Sequence, residues 1–244
     1  MAQFPSSCVI IGATGGVGSA LTRRLAGKTR LTLAARDADR LQTLADEVDA
    51  RFVRADASSF EQMADLFEQA GEIDAAVNLA GSILLKPAHL TSEADLHDTI
   101  SQNLVTAFAT VRAASRAMRG GGGSIVLMSS AAARYGLTNH EAIAAAKAGV
   151  EGLTRAAAAS YAARSIRVNA VAPGLVDSPM AKGITGNETA LAASRAMHPL
   201  GRIGEPDEIA RVIEWLISPE SSWITGQVIG VDGGLSAVQS RAAR

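Results

Sequence analysis

The stretch Cys8-Val9-Ile10-Ile11-Gly12-Ala13-Thr14-Gly15-Gly16-Val17-Gly18 decides the fold. Four apolar residues predict a short buried strand, and the spaced glycines that follow it open a helix. Glycines in this position allow a tight turn and let the backbone approach a pyrophosphate, while the first helical turn offers amide donors. The stretch therefore predicts the start of a dinucleotide-binding unit, with contacts from Gly12, Thr14, Gly15, Gly16, Val17 and Gly18.

Short β-branched runs alternate with helical patterns along the rest of the chain, and this alternation predicts a parallel sheet with helices on both faces. Strands are expected near Cys8–Gly12, Arg30–Ala35, Arg51–Ala55, Asp74–Leu79, Ser124–Ser129, Arg167–Ala172 and Val228–Val231. Helices are expected near Gly16–Ala26, Ala38–Val48, Phe60–Gln69, Glu93–Met118, Thr138–Ala163, Glu188–Met197 and Pro206–Ile217. The helix from Thr138 is expected to start with a capping box formed with Glu141.

Length and composition narrow the function classes. The chain has 244 residues, and no linker-like segment divides it, so one domain over residues 1–244 is expected. A net charge of −1 gives no electrostatic support for a nucleic-acid or membrane partner. Cys8 is the only cysteine and no apolar run is long enough to span a bilayer. We expect a cytoplasmic protein without a metal site.

The ends of the predicted strands carry polar residues or glycines, which indicates a ligand cleft at one edge of the sheet. Ala35-Arg36-Asp37 ends the second strand, where an acidic residue would bind the ribose of NAD(H). Arg36 instead suits a phosphate and favours NADP(H), unless it only pairs with Asp37 at the surface. Asp56, after the third strand, suits either the adenine amino group or a turn before the next helix.

Several further motifs carry a family resemblance. They are the Gly12–Gly18 loop, Asn78-x-Ala80-Gly81, Asn103, Ser130, Lys147, Asn169-Ala170-Val171-Ala172-Pro173-Gly174, Arg202-x-Gly204-Glu205-Pro206, Thr225-Gly226 and Asp232-Gly233-Gly234. Through them the chain resembles the short-chain dehydrogenase/reductase family, in particular its 3-oxoacyl-acyl-carrier-protein-reductase-like members. The resemblance implies a Rossmann-type, doubly wound fold with a seven-stranded parallel sheet, and self-association as a dimer or tetramer. It also implies a lid over about residues 179–200, and we expect a loosely held tail at about 236–244.

The resemblance also implies roles for individual residues. Ser130 polarises a substrate carbonyl, Lys147 binds the nicotinamide ribose, and Asn103 bends its helix and holds a water of a proton relay. The remaining cofactor contacts fall on Asp56, Ala57, Asn78, Ala80 and Gly81, and on Pro173, Gly174, Val176 and Ser178 around the nicotinamide.

Ile143 stands where this family has its catalytic tyrosine. The expected activity is hydride transfer between NADP(H) and a small-molecule carbonyl or secondary alcohol, and the proton would then come from another donor. His140, Tyr135 and a water held by Lys147 and Asn103 are the candidates. Alternatively, the protein binds NADP(H) with little or no turnover, as a pseudoenzyme or a cofactor sensor. A third interpretation is chemistry that needs no tyrosine as the acid, such as alcohol oxidation assisted by Lys147, or a lyase or isomerase step.

Overall fold

The computed structural model describes residues 4–118 and 120–239, and its central feature is one parallel sheet. The seven strands lie in the order β3-β2-β1-β4-β5-β6-β7, and every neighbouring pair is parallel. The predicted seven-stranded, doubly wound sheet is therefore confirmed. The strands are β1 Ser7–Ile11, β2 Arg30–Ala35, β3 Arg51–Arg54, β4 Ala75–Asn78, β5 Gly123–Met128, β6 Ile166–Pro173 and β7 Val228–Val231.

Helices cover both faces of this sheet. The α-helices are α1 Gly16–Leu25, α2 Ala38–Val48, α3 Phe60–Ala70, α4 Glu93–Ile100, α5 Thr106–Ala117, α6 Glu141–Tyr161, α7 Lys182–Thr185, α8 Glu188–Met197 and α9 Pro206–Ile217. Val9 and Ile11 of β1 belong to an apolar cluster with α3, α5 and α6, whereas Cys8 and Ile10 belong to a second cluster with α1, α2 and α9. Alternating side chains of a strand point to opposite faces, so both faces of β1 are buried.

The predicted helix Glu93–Met118 is interrupted in the structure. A π-helical turn, Ser101–Val105, separates α4 from α5. The Asn103 side chain lies inside this turn, where its Nδ2 donates to the carbonyl of Thr99 at 2.9 Å. A side chain that bonds into the helical ladder is a known cause of such an interruption, so the Asn103 contact accounts for the π-helical turn.

The predicted capping box at Thr138 is wrong. Helix α6 begins three residues later, at Glu141, with His140 in the N-cap position. Asn139 has a φ of 65°, a left-handed conformation that cannot continue into a helix, and it separates Thr138 from α6. Glu141 instead points toward the loop after β4, where its carboxylate accepts from the N–H of Ala88 at 3.4 Å.

Helices and hydrogen bonds are present in the described residues of the predicted lid and tail. A 3-10 turn at Pro179–Ala181, then α7 and α8, fill the lid segment. At the tail, Asp232 accepts the N–H of Ser236 at 3.0 Å, and Val238 donates to the carbonyl of Gly234 at 2.9 Å. The tail prediction also covers residues 240–244, which lie outside the described residues.

Candidate active site

A cavity of about 450 Å³ lies at the carboxyl ends of the strands. Residues that follow six of the seven strands line it, from Arg36 after β2 to Leu175 after β6. Strand order places β2 and β3 on one side of β1, and β4, β5 and β6 on the other. The cavity therefore has two ends, which we name the β2–β3 end and the β5–β6 end.

Most of the predicted site residues line this one cavity. They are Gly12, Thr14, Gly15, Gly16, Val17, Gly18, Arg36, Asp56, Ala57, Ala80, Gly81, Asn103, Ser130, Ile143, Lys147, Pro173, Gly174, Val176 and Ser178. Asn78 and His140 are not among the lining residues. Asn78 is buried behind the wall, where its Nδ2 donates to Thr110 at 3.0 Å and its Oδ1 accepts from the N–H of Ala80 at 2.9 Å. His140 is turned to its own loop, with Nδ1 2.8 Å from the carbonyl of Thr138.

Glycine is required at two points of the loop after β1. Gly12 has a φ of +78°, and a Cβ built there would lie 2.7 Å from the backbone nitrogen of Ala80. A Cβ on Gly18 would lie 2.3 Å from the carbonyl oxygen of Gly12. No side chain caps the start of α1 at Gly15, so the positive end of this helix faces the cavity with its first amide donors available. A cradle of this kind fits a pyrophosphate.

The β2–β3 end carries two arginines. Arg36 lines the cavity, and so does Arg40, whose Nη2 donates to the carbonyl of Thr14 at 2.8 Å. Asp37 caps α2 by accepting the N–H of Arg40 at 3.1 Å. Sequence reasoning missed Arg40, whose only signal is a second arginine in the first turn of α2, four positions after Arg36.

Asp56, at the same end of the cavity, forms a local turn with Ser58. Its Oδ1 accepts the N–H of Ser58 at 2.9 Å and the Ser58 hydroxyl at 2.8 Å. These two bonds and the nearby positive charge of Arg36 lower the pKa of Asp56. The turn role that the sequence left open is therefore present, and the carboxylate also lines the cavity.

Lys147 and Asn103 meet at the β5–β6 end. The Lys147 Nζ donates to the carbonyl of Met128, the last residue of β5, at 2.8 Å. A Cβ on Gly81 would lie 3.5 Å from this Nζ and 2.8 Å from the Asn103 Oδ1, so the two polar groups flank one glycine. Burial of Lys147 lowers its pKa to about 8, because the charged form loses its hydration.

Ser130 and Ile143 complete this end of the cavity. The Ser130 Oγ accepts the N–H of Ala132 at 3.2 Å, which leaves the hydroxyl hydrogen free to be donated. Ile143 is only 5% exposed and lies one helical turn before Lys147 on α6. Among the cavity-lining residues of the described chain there is no histidine or tyrosine, and Tyr135 is 48% exposed in the loop outside.

A buried carboxylate behind Ser130 was missed by sequence reasoning. Glu151, on α6, is 8% exposed and accepts from the Ser129 hydroxyl at 3.1 Å and from the Arg134 Nε at 2.9 Å. Ser129 and Arg134 stand on either side of Ser130 in the chain. Glu151 therefore connects Ser129 and Arg134, on either side of Ser130, to helix α6, which also carries Lys147. Its signal in the sequence is an acidic residue four positions after Lys147, on the same helix face.

Among the residues that the structure describes, no helix is long and apolar enough to cross a membrane. Within the same residues, no group of three or more histidine, cysteine or acidic side chains is placed to hold a metal ion.

Comparisons with known proteins give the family. A family model described as enoyl-(acyl carrier protein) reductase matches residues 12–236. The 3-oxoacyl-[acyl-carrier-protein] reductase of Thermotoga maritima is 37% identical over 93% of this chain and 96% of its own length. The chain belongs to the short-chain dehydrogenase/reductase family. This short-chain dehydrogenase/reductase is also 36% identical to the cis-4-hydroxycyclohexanecarboxylate dehydrogenase of Sinomonas cyclohexanicum, over 94% of this chain and 96% of that protein.

Solved structures agree with this assignment. A short-chain type dehydrogenase/reductase from Mycobacterium ulcerans has a TM-score of 0.92 and 26% sequence identity, covering 97% of this chain and 91% of that one. Members of the family are oxidoreductases that use nicotinamide cofactors, so the general function of this short-chain dehydrogenase/reductase is that of an oxidoreductase.

Proposed function

We propose that this short-chain dehydrogenase/reductase is an NADP(H)-preferring enzyme that interconverts a small-molecule carbonyl and a secondary alcohol, with a non-standard proton donor. One observation carries the proposal: a single cavity holds the glycine cradle at one place and Ser130, Asn103 and Lys147 at another. A nicotinamide cofactor bound along this cavity supplies the hydride. The residues of the chain bind it, orient the substrate and handle the proton.

The geometry of the cavity wall supports the choice of cofactor. Gly12, Gly16 and Gly18 line the cavity where α1 begins, and the uncapped first turn of α1 offers amide donors to a pyrophosphate. The two arginines at the β2–β3 end, Arg36 and Arg40, suit the 2′-phosphate that distinguishes NADP(H) from NAD(H). Among the ion pairs of residues 4–118 and 120–239, none involves either arginine.

The proton comes from a water beside Lys147 in this proposal. Lys147 is the only titratable side chain among the cavity-lining residues at the β5–β6 end. Its Nζ and the Asn103 Oδ1 both face Gly81, so a water beside them has a donor and an acceptor. His140 and Tyr135 are weaker candidates, because neither lines the cavity. Ser130 donates its free hydroxyl hydrogen to the carbonyl oxygen and orients it.

Ile143 favours one other function, an NADP(H)-binding protein with little or no turnover. An isoleucine in the cavity wall offers no proton and makes that part of the wall apolar. Binding of a cofactor ribose alone would account for Lys147. Such a protein would act as a pseudoenzyme or a cofactor sensor.

We also propose a homo-oligomer, dimer or tetramer, in the cytoplasm. Apolar surface on α5 supports self-association, since Phe108 is 49% exposed and stacks on Phe60, itself 40% exposed, with ring centroids 6.0 Å apart. Exposed aromatic surface of this kind is common at protein interfaces.

NADPH fluorescence on the purified protein tests the proposed function, with NADH as the comparison. We expect enhancement by NADPH at lower concentration than by NADH, followed by substrate-dependent decay when a panel of ketones and aldehydes is added. Enhancement without decay on any substrate would favour the binding protein. No enhancement by either nucleotide would contradict both functions.

A further inference from the structure

His198 is a buried histidine at the end of lid helix α8, and both nitrogens of its ring are engaged. The residue is 3% exposed. Its Nδ1 lies 2.6 Å from the carbonyl oxygen of Ser194, one turn back along α8. Its Nε2 accepts the backbone N–H of Leu175 at 3.2 Å. The ring therefore connects the lid to the segment after β6.

These two contacts require a neutral ring. An Nε2 that accepts a hydrogen bond carries no proton, so the single ring proton is on Nδ1 and is donated to Ser194. A charged imidazolium would carry protons on both nitrogens and would direct Nε2–H at the N–H of Leu175. The bond to Leu175 exists for the neutral form alone.

The ring also packs against Gly174 without intervening space. A Cβ on Gly174 would lie 2.5 Å from the His198 Nε2, so this position accepts only glycine while the histidine is in place. On its other side, the N–H of Gly174 donates to Val231 at 3.2 Å, and the carbonyl of Leu175 accepts from Gly204 at 2.9 Å. His198 binds a third backbone group of these two residues, the N–H of Leu175.

Gly174 and Leu175 both line the cavity at the β5–β6 end, whereas His198 itself does not. We propose that His198 is a positioning residue of the cofactor site, which holds the Gly174–Leu175 peptide against the lid through a bond that only its neutral ring accepts. This inference rests on the proposed NADP(H) binding. It predicts that NADPH affinity falls when the bond to Leu175 is lost, and is kept when another side chain accepts the N–H of Leu175.

Four charged residues lie close in sequence to the segments that contact the ring. They are Arg195 of α8, Asp177 after β6, Asp232 after β7, and Arg202 in the segment that follows His198. The Asp232 carboxylate accepts hydrogen bonds from the N–H groups of Gly234 and Ser236. Arg202 is paired with Glu208. Within residues 4–118 and 120–239, no side chain of these four residues bonds to the ring.

The test is an NADPH fluorescence titration at pH 7.5 on the full chain and three variants. His198→Leu removes the acceptor and should weaken NADPH binding about tenfold, since the N–H of Leu175 loses its partner. In His198→Gln the amide oxygen can accept that N–H, so this variant should bind NADPH within about threefold of the original protein. His97→Gln, on the exposed face of α4, is the matched control and should leave NADPH binding unchanged.

Amide hydrogen exchange of the segment 173–178 keeps the inference testable if no NADPH binds. Faster exchange of this segment in His198→Leu than in the original protein, with unchanged circular dichroism, supports the His198 contact independently of the cofactor. The inference is overturned if exchange in this segment is unchanged in His198→Leu, or if His198→Gln binds NADPH as weakly as His198→Leu. If His198→Leu does not fold, His198→Ala takes its place in both measurements. Absence of NADPH binding by the original protein contradicts the proposed function, and the exchange comparison still decides the role of His198.

Discussion

The two ends of the cavity are built in different ways. At the glycine loop, which adjoins the β2–β3 end, the cavity is shaped mainly by backbone: Gly12 and Gly18 have no room for a Cβ, and the start of α1 is left uncapped by side chains. At the β5–β6 end, the chemistry depends on a few side chains held in place, Ser130, Asn103 and Lys147, and Ile143 lines the same cavity. A cofactor cradle built from backbone persists when one side chain changes, whereas proton transfer can depend on a single group.

The largest effect is expected from Ile143→Tyr, which would give the β5–β6 end a phenol beside Ser130 and Lys147. If this end is otherwise intact, reductase activity should rise about 10²- to 10⁴-fold, the range that a positioned acid contributes. Steady-state NADPH oxidation with the carbonyl panel measures the change. The missing function of the β5–β6 end would then be explained by the absence of one hydroxyl group.

Ile143→Phe is the matched control for this gain, since it adds the ring without the hydroxyl. We expect Phe to leave activity at or below its original level and to leave NADPH binding unchanged. Equal gains from Phe and Tyr would mean that the shape of the wall limits turnover rather than the proton. No gain from Tyr would contradict the placement of Ile143 at the reacting position.

The next effect concerns the stability cost of the buried Lys147. Burial lowers its pKa from about 10.5 to about 8, so between these pH values the unfolded chain binds a proton that the folded chain has released. Stability therefore rises with pH across this window, and below about pH 8 the gain is absent. A shift of this size corresponds to a rise on the order of 3 kcal/mol. Urea unfolding at pH 7.5 and at pH 10 measures it.

Lys147→Met isolates this contribution, because every other titrating group is shared by the two proteins. The variant should lack the part of the rise that belongs to Lys147, so the difference between the two pH profiles is the relevant quantity. Parallel profiles would show that Lys147 titrates normally. The β5–β6 end would then be more hydrated than the contacts of Lys147 indicate.

How far the sequence predicts this molecule depends on whether a feature is determined locally or by contacts between distant parts of the chain. The glycine loop follows from local pattern, and all seven strands were predicted within one residue of their observed bounds, because periodicity and turn residues act over short distances. Arg40 and Glu151 were missed, since their importance comes from contacts with Thr14 and Ser129, which are distant in the chain. The capping box at Thr138 failed because Asn139 adopts a left-handed conformation that a matching cap sequence does not reveal.

The smallest expected effect tests the β2–β3 end, where side chains add to the backbone cradle. Arg36→Ala and Arg40→Ala should each weaken NADPH binding about tenfold, the loss of one charge-assisted contact to a phosphate, and should leave NADH binding unchanged. The ratio of the two Kd values is the measurement, because it cancels general damage to the site. Arg51→Ala removes an arginine that donates to Gln69 at 2.7 Å and does not line the cavity, so it should leave the ratio intact.

Equal weakening of NADPH binding and NADH binding would mean that the two arginines stabilise the glycine loop and do not bind a phosphate. Arg40 contacts this loop at the carbonyl of Thr14. In that case the preference for NADP(H) would have no basis at this end. A selective loss in Arg40→Ala alone would assign the phosphate to the residue that the sequence pattern did not single out. Either result separates the contribution of the side chains to cofactor binding at the β2–β3 end from the contribution of the backbone.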